Sequence, residues 1–159
     1  MTAPVAGFQP YIRREAIAVA VFNLVSVAAG QVANLVTSGR VLKSYTAIDA
    51  AQMPALFCVQ KHEAQNRSTT QGIPPRRVMF FEVWLYTADP QADSVVPATQ
   101  LNNMIDAIEF ALSPDPLQGL NTLGGLVVNA KIEGQIDYFA NVTQDGKSIA
   151  IIPVAVLIP

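Results

Sequence analysis

The sequence is poor in the side chains that do chemistry, holding one histidine, His62, and one cysteine, Cys58. A nucleophile-and-base triad needs a histidine in nearly all its versions, and no G-x-S-x-G elbow surrounds any serine. His62 lies in a polar stretch and reads as a solvated loop histidine. One Cys and one His cannot complete a zinc set. Asp89 and Asp93 are close in sequence, but no calcium-loop pattern of ligands follows them. Leu123-Gly124-Gly125-Leu126 precedes an expected strand and carries no following lysine, whereas phosphate loops open a helix. Its glycines serve a tight turn. No catalytic, metal-binding or cofactor-binding residue is nominated, and no cofactor is expected.

Charge is scarce as well. Asp, Glu, Lys and Arg make up 14% of the chain, against a usual share of about 25%. Such a chain has too few charges to clothe itself as a typical soluble monomer, and surface without charge tends to be covered by another molecule. Self-association follows as the default expectation. The lone Cys58 excludes a disulfide framework. It sits in the apolar run Ala55-Leu56-Phe57-Cys58-Val59, where a buried, inert thiol is expected, consistent with assembly in a reducing cytoplasm.

The charges that are present are unevenly spread. Residues 1–77 carry eight Lys/Arg against three Asp/Glu, a net of +5, while residues 78–159 carry two against nine, a net of -7. Opposite halves of this kind give opposite-signed faces that steer head-to-tail contact, unless folding mixes them. Neither half is basic enough for specific nucleic-acid binding.

Residues 1–10 contain two prolines and a glycine and read as a flexible arm. From Tyr11 to Ala29, Ile17, Val21, Leu24, Val25 and Ala28 fall at helix spacing, with Gly30 as the stop. Ala16–Ala29 also resembles the apolar core of a secretion signal behind Arg13-Arg14. Asn23, Ser26 and Glu15 argue against that, and the run is shorter than the ~20 residues of a membrane helix. Arg40–Thr46 and Pro54–Gln60 read as strands, and residues 61–77, with Gly72, Pro74 and Pro75, as a long loop. Its Lys61, Arg67, Arg76 and Arg77 are candidate contacts to a neighbour's acidic surface.

Val78–Tyr86 is the clearest strand. Met79, Phe81, Val83 and Leu85 make one apolar face, and the aromatic opposite face suits a helix or a neighbouring subunit. Pro97–Leu112 reads as a second helix, with Leu101, Ile105, Ile108 and Leu112 inward and Asn102, Asn103, Asp106 and Glu109 in water. Leu126–Phe139 reads as a strand bulged at Gly134, followed by an Asp145-Gly146 turn. The final strand, Lys147–Ile158, holds Pro153, which confines it to an edge or a bulged position. Its Ile149 and Ile151 are further candidate contacts. The whole is a single α+β domain over residues 11–159, with a mainly antiparallel sheet packed by two long helices.

Several of these stretches resemble the tail terminator (tail completion) proteins of long-tailed bacteriophages, a family close to phage neck and minor tail proteins. The likeness rests on Pro54-Ala55-Leu56-Phe57, on Leu101-Asn102-Asn103-Met104-Ile105-Asp106-Ala107-Ile108 and on Thr122-Leu123-Gly124-Gly125-Leu126-Val127. Ile132-Glu133-Gly134 and Ile149-Ala150-Ile151-Ile152-Pro153-Val154 complete it. The resemblance implies a virion protein assembled in the host bacterial cytoplasm as a ring, hexameric in that family. Such a ring ends tube polymerisation at the head-proximal end of the tail and joins tube protein to head connectors. DNA passes through its lumen without specific binding, and no membrane is involved. Asp106, Glu109, Glu133 and Asp137 are expected to line that lumen and repel phosphates. The alternatives are another neck or connector subunit, or a secreted ligand-binding domain.

Overall fold

The computed structural model describes residues 13–66, 76–88, 99–139 and 146–158. The 1–10 arm, Arg67, Asp89, Asp93, Pro97 and Asp145 lie outside the described residues.

Helix α1 spans Arg14–Val32 and buries Ile17, Ala18, Val21, Val25, Ala28 and Ala29. These positions recur at helical spacing, and alanine, the strongest helix former, fills much of the stripe. Gly30 does not stop it. That residue is exposed with open space around it, and a helical glycine there costs stability without forcing a break. The helix ends at Ala33, whose backbone is extended. It is therefore longer than its sequence pattern indicates, and by length and composition alone it is apolar enough to cross a membrane. Its buried stripe instead joins the main core.

Among the described residues, six strands form one sheet in the order β1-β2-β3-β6-β4, with β5 also on β6. They are β1 (Thr37–Gly39), β2 (Ala55–Asn66), β3 (Arg76–Ala88), β4 (Asn129–Ile132), β5 (Asp137–Phe139) and β6 (Lys147–Ile158). β1 runs parallel to β2, and the other pairings are antiparallel. The single α+β domain stands, but the sheet is mixed. Helix α2 (Thr99–Ala111) is 13 residues against 19 for α1, so only one helix is long.

Both helices lie on one face of the sheet. Leu101, Met104, Ile105 and Ile108 from α2, with Leu112 just past its end, meet Met79, Phe81, Val83 and Leu85 of β3 and Ala150, Ile152, Val154 and Val156 of β6. The expected inner stripe of α2 and the apolar face of β3 are thus both core. Cys58 is buried there too.

Three expectations fail for identifiable reasons. Arg40–Thr46 is not a strand: β1 precedes it, and Tyr45–Ala47 and Ala50–Gln52 are single 3₁₀ turns. The expected 61–77 loop is strand at both ends, because β2 continues to Asn66 and β3 begins at Arg76, while residues 67–75 lie outside the described residues. Its polar residues mask the period of two, since a bulge shifts the register between Gln60 and His62.

The third concerns β6, which is not an edge. It pairs with β3 along its whole length and with β4 and β5 on its other side. Pro153 is tolerated because the ladder breaks there: residues 133–136 separate β4 from β5, and the Glu133 N–H donates to the Pro153 carbonyl at 3.1 Å. The missing proline N–H therefore faces a gap rather than a partner. Gly134, at φ +121°, fills that gap, and an added Cβ there would lie 3.2 Å from the Pro153 ring.

Candidate interaction surfaces

Among the described residues, the second face of the sheet is covered at one end only. Ile48 and Met53, with Tyr45 beside them, lie over Ala55, Phe57, Tyr86 and Ile149. The Tyr86 hydroxyl donates to the Lys43 carbonyl at 2.8 Å, and Lys147 Nζ donates to the Ile48 carbonyl at 3.2 Å. These two bonds pin the segment across the sheet, and burial pushes the Tyr86 phenol's pKa up. Ile149 is therefore core, 5% exposed, and the premise that β6 offers it on an open edge is corrected.

Beyond that cover the face is open among the described residues. Strand alternation puts Val78, Phe80, Glu82 and Trp84 of β3 on it, beside Ile151, Pro153 and Leu157 of β6. All seven are half-buried. The ring of His62 stacks on Phe80 with centroids 4.5 Å apart, so this histidine is a strand residue seated on an aromatic. Trp84 Nε1 donates to Glu82 at 3.0 Å, and Lys61 Nζ lies 3.4 Å from the same carboxylate. The bulge at Gln60–His62 brings Lys61 to this face, and nothing in the local sequence pattern signals it. Arg76, paired with Asn66 in register, stands exposed at the far end of the face.

The helical layer presents a second uncovered surface. No Asp, Glu, Lys or Arg occurs between Glu15 and Arg40, so the outer side of α1 has no charge. Ala20, Asn23, Leu24 and Val27 line an apolar groove of about 430 Å³ with Leu123 and Gly124. At the other end of α1, Val32 and Gln31 share a second groove with Asn103, Asp106 and Phe110 of α2. Phe110 is 82% exposed and Val27 62%. The low charge content of the chain is thus concentrated in its helical layer.

The nominated residues do not form one site. Lys61 and Arg76 belong to the open sheet face. Arg77 points to the other side, 4.0 Å from Glu63. Asp106 and Glu109 lie on the exposed side of α2. Asp137 is opposite Ile151 in register and accepts a hydrogen bond from Gln135, while Glu133 is 3.6 Å from Lys131. The four acidic residues are divided between α2 and the β4–β5 margin.

Burial pushes the Cys58 thiol up to about 12, with a small opposing pull from Arg40. Among the described residues no group of three or more His, Cys, Asp or Glu side chains is placed to hold a metal ion.

No family model and no curated protein matches the chain. Solved structures do. The fold is similar to that of a chain in the virion of a native gene transfer agent particle. That likeness has a TM-score of 0.54 at 10% identity and covers 93% of this chain and 98% of the other. A second solved chain matches at TM-score 0.50 and 17% identity, covering 91% of this chain and 94% of the other. At such identities the likeness is one of fold, and it runs nearly end to end in both cases.

Proposed function

We propose that this chain is a virion structural protein that acts as a ring-forming subunit of a phage tail. The observation that carries the reading is the end-to-end fold likeness to a chain of a gene transfer agent virion. Two surfaces that keep apolar side chains uncovered, the charge-poor helical layer and the sheet face, support it, since such surfaces are normally covered in an assembly. In the finer reading, which rests on the resemblance to tail terminators, the ring is hexameric and caps the head-proximal end of the tail tube. It ends tube polymerisation and offers its other side to head connector proteins. DNA crosses the lumen without specific binding, and the subunit catalyses no reaction. Lys61, Arg67, Arg76, Arg77 and Ile151 are contacts to neighbours, and Asp106, Glu109, Glu133 and Asp137 contribute acidic surface.

Native mass spectrometry followed by electron microscopy of the purified protein tests this. The expected result is a closed ring that binds the ends of isolated tails. A strict monomer that fails to join tails sinks the reading. A ring that binds portal-side proteins and ignores tube protein replaces the terminator role with that of a neck connector.

A further inference from the structure

We infer that the open sheet face of one copy is covered by the helical layer of the next, so that subunits join head to tail through two different surfaces. This rests on the ring reading above and specifies the contact it needs.

The two surfaces lie on opposite sides of the same subunit, and each lacks what the other supplies. A sheet with an apolar face is stable when another layer packs on it. Here the helices cover one face, and on the second the 45–53 cover packs against Trp84 and Ile151, while Phe80 and Leu157 stay half-buried beyond it. Conversely, a helix that is apolar all round is normally buried on more than one side. α1 buries six of its 19 residues in its own subunit and leaves Val19, Val27 and Val32 exposed.

Charge selects the pairing. After the first turn of α1, the only charged residues on the two helices are Asp106 and Glu109, and both face outward beside Phe110. The open face carries Arg76 at its far end and, in its middle, Lys61 paired with Glu82 at 3.4 Å, so two cations stand against one carboxylate and the net is +1. Helical layer against helical layer would set acid on acid. Helical layer against sheet face sets acid near base, which also favours correct encounter. Two unlike surfaces on one subunit make a heterologous contact, the kind that closes into a ring when the rotation fits.

Pairing through the β2 edge is less suited to the role. That edge carries a bulge at Gln60–His62 together with Lys61 and Glu63, devices that discourage strand addition.

The test is a photo-cross-linker, Phe110→p-benzoylphenylalanine, in assemblies mixed from ¹⁵N-labelled and unlabelled copies. Cross-linked peptides are expected to join position 110 to residues 76–88 or 147–158 of a different copy. Links to residues 1–12, to another copy's helices, or only within one chain overturn the inference, while a ring seen in the same sample leaves the ring reading standing. No oligomer at all sinks both. Asp106→Lys with Glu109→Lys is expected to weaken self-association at least tenfold at low salt, and Lys61→Glu with Arg76→Glu in the same chain to restore it. These side chains are exposed, and circular dichroism checks that each variant folds. No loss, or loss without restoration, also overturns the contact.

Discussion

Arg14 and Glu63 form a two-point ion pair, with Arg14 Nε 2.7 Å and Nη2 3.0 Å from the two carboxylate oxygens. The pair ties the first turn of α1 to the far half of β2. Arg40 repeats the arrangement on Glu15, so the start of the apolar helix is held by the few charges nearby. The Arg14 hydrogen bonds and charge hold the Glu63 carboxyl below its usual range, with a smaller pull from Arg77.

That depression fixes a pH dependence. Unfolded, Glu63 titrates near about 4.3; folded, it titrates lower. Its contribution is complete above the unfolded value and is lost as pH falls through the folded one. Glu63→Gln is therefore expected to lower thermal stability slightly at pH 7 and to converge with the parent at the acid end. A gap between the two melting curves that persists unchanged below pH 3 contradicts this.

Ile152 lies on the central strand β6 and is fully buried between the helices and the sheet. Ile152→Ala is expected to cost about 2–5 kcal/mol, because the surrounding core closes only partly over the lost volume. Urea unfolding followed by circular dichroism measures it. A loss under 1 kcal/mol would mean that the helices are not seated on that face.

At the gap in the β4–β5 ladder, Gly134→Ala is expected to destabilise by about 1–3 kcal/mol, since alanine is strained at positive φ and its Cβ crowds Pro153. Gly30→Ala, in an open helical site, is expected to stabilise by about 0.5–1 kcal/mol. Equal effects at the two glycines would refute the distinction.

Cys58 should resist thiol reagents. With its thiol pushed up to about 12, almost no thiolate exists at pH 8, and the side chain is buried. Alkylation by iodoacetamide is expected to follow unfolding and to be at least a hundredfold slower in the native protein. Rapid labelling of folded protein would show that β2 opens locally.

Trp84 is the one tryptophan and lies on the open sheet face. Its emission is expected to shift to shorter wavelength as concentration drives assembly, because the next copy removes it from water. The Phe110→Glu variant should delay that shift to higher concentration. An unchanged spectrum across assembly would leave the sheet face uncovered.

The sequence was most legible where a single period governs a segment. Met79, Phe81, Val83 and Leu85 alternate strictly, and Leu101, Ile105, Ile108 and Leu112 recur at helix spacing, so both sides of the main core could be named in advance. It was least legible where tertiary contacts override local signals. Gly30 looks like a stop but is outweighed by the buried stripe on either side. Residues 61–66 look like loop because their side chains are polar, yet they pair with Arg76–Phe80 across the hairpin. Pro153 signals an edge, and only the distant Gly134 reveals that it sits beside a gap. The uncovered surfaces were legible as a shortage of charge, but which faces carry it depends on the packing of α1 and α2.

The sheet order also governs when a subunit becomes competent. β3 is flanked by β2, close in sequence, and by β6, whose paired residues lie about sixty to eighty positions later. Pairing over such separations is intrinsically slow, and β6 emerges after the other five strands of this sheet during synthesis. Until it inserts, β4 and β5 have no strand to pair with and both helices lack half of their floor. A chain interrupted before Lys147 therefore presents neither a finished sheet face nor a seated helical layer.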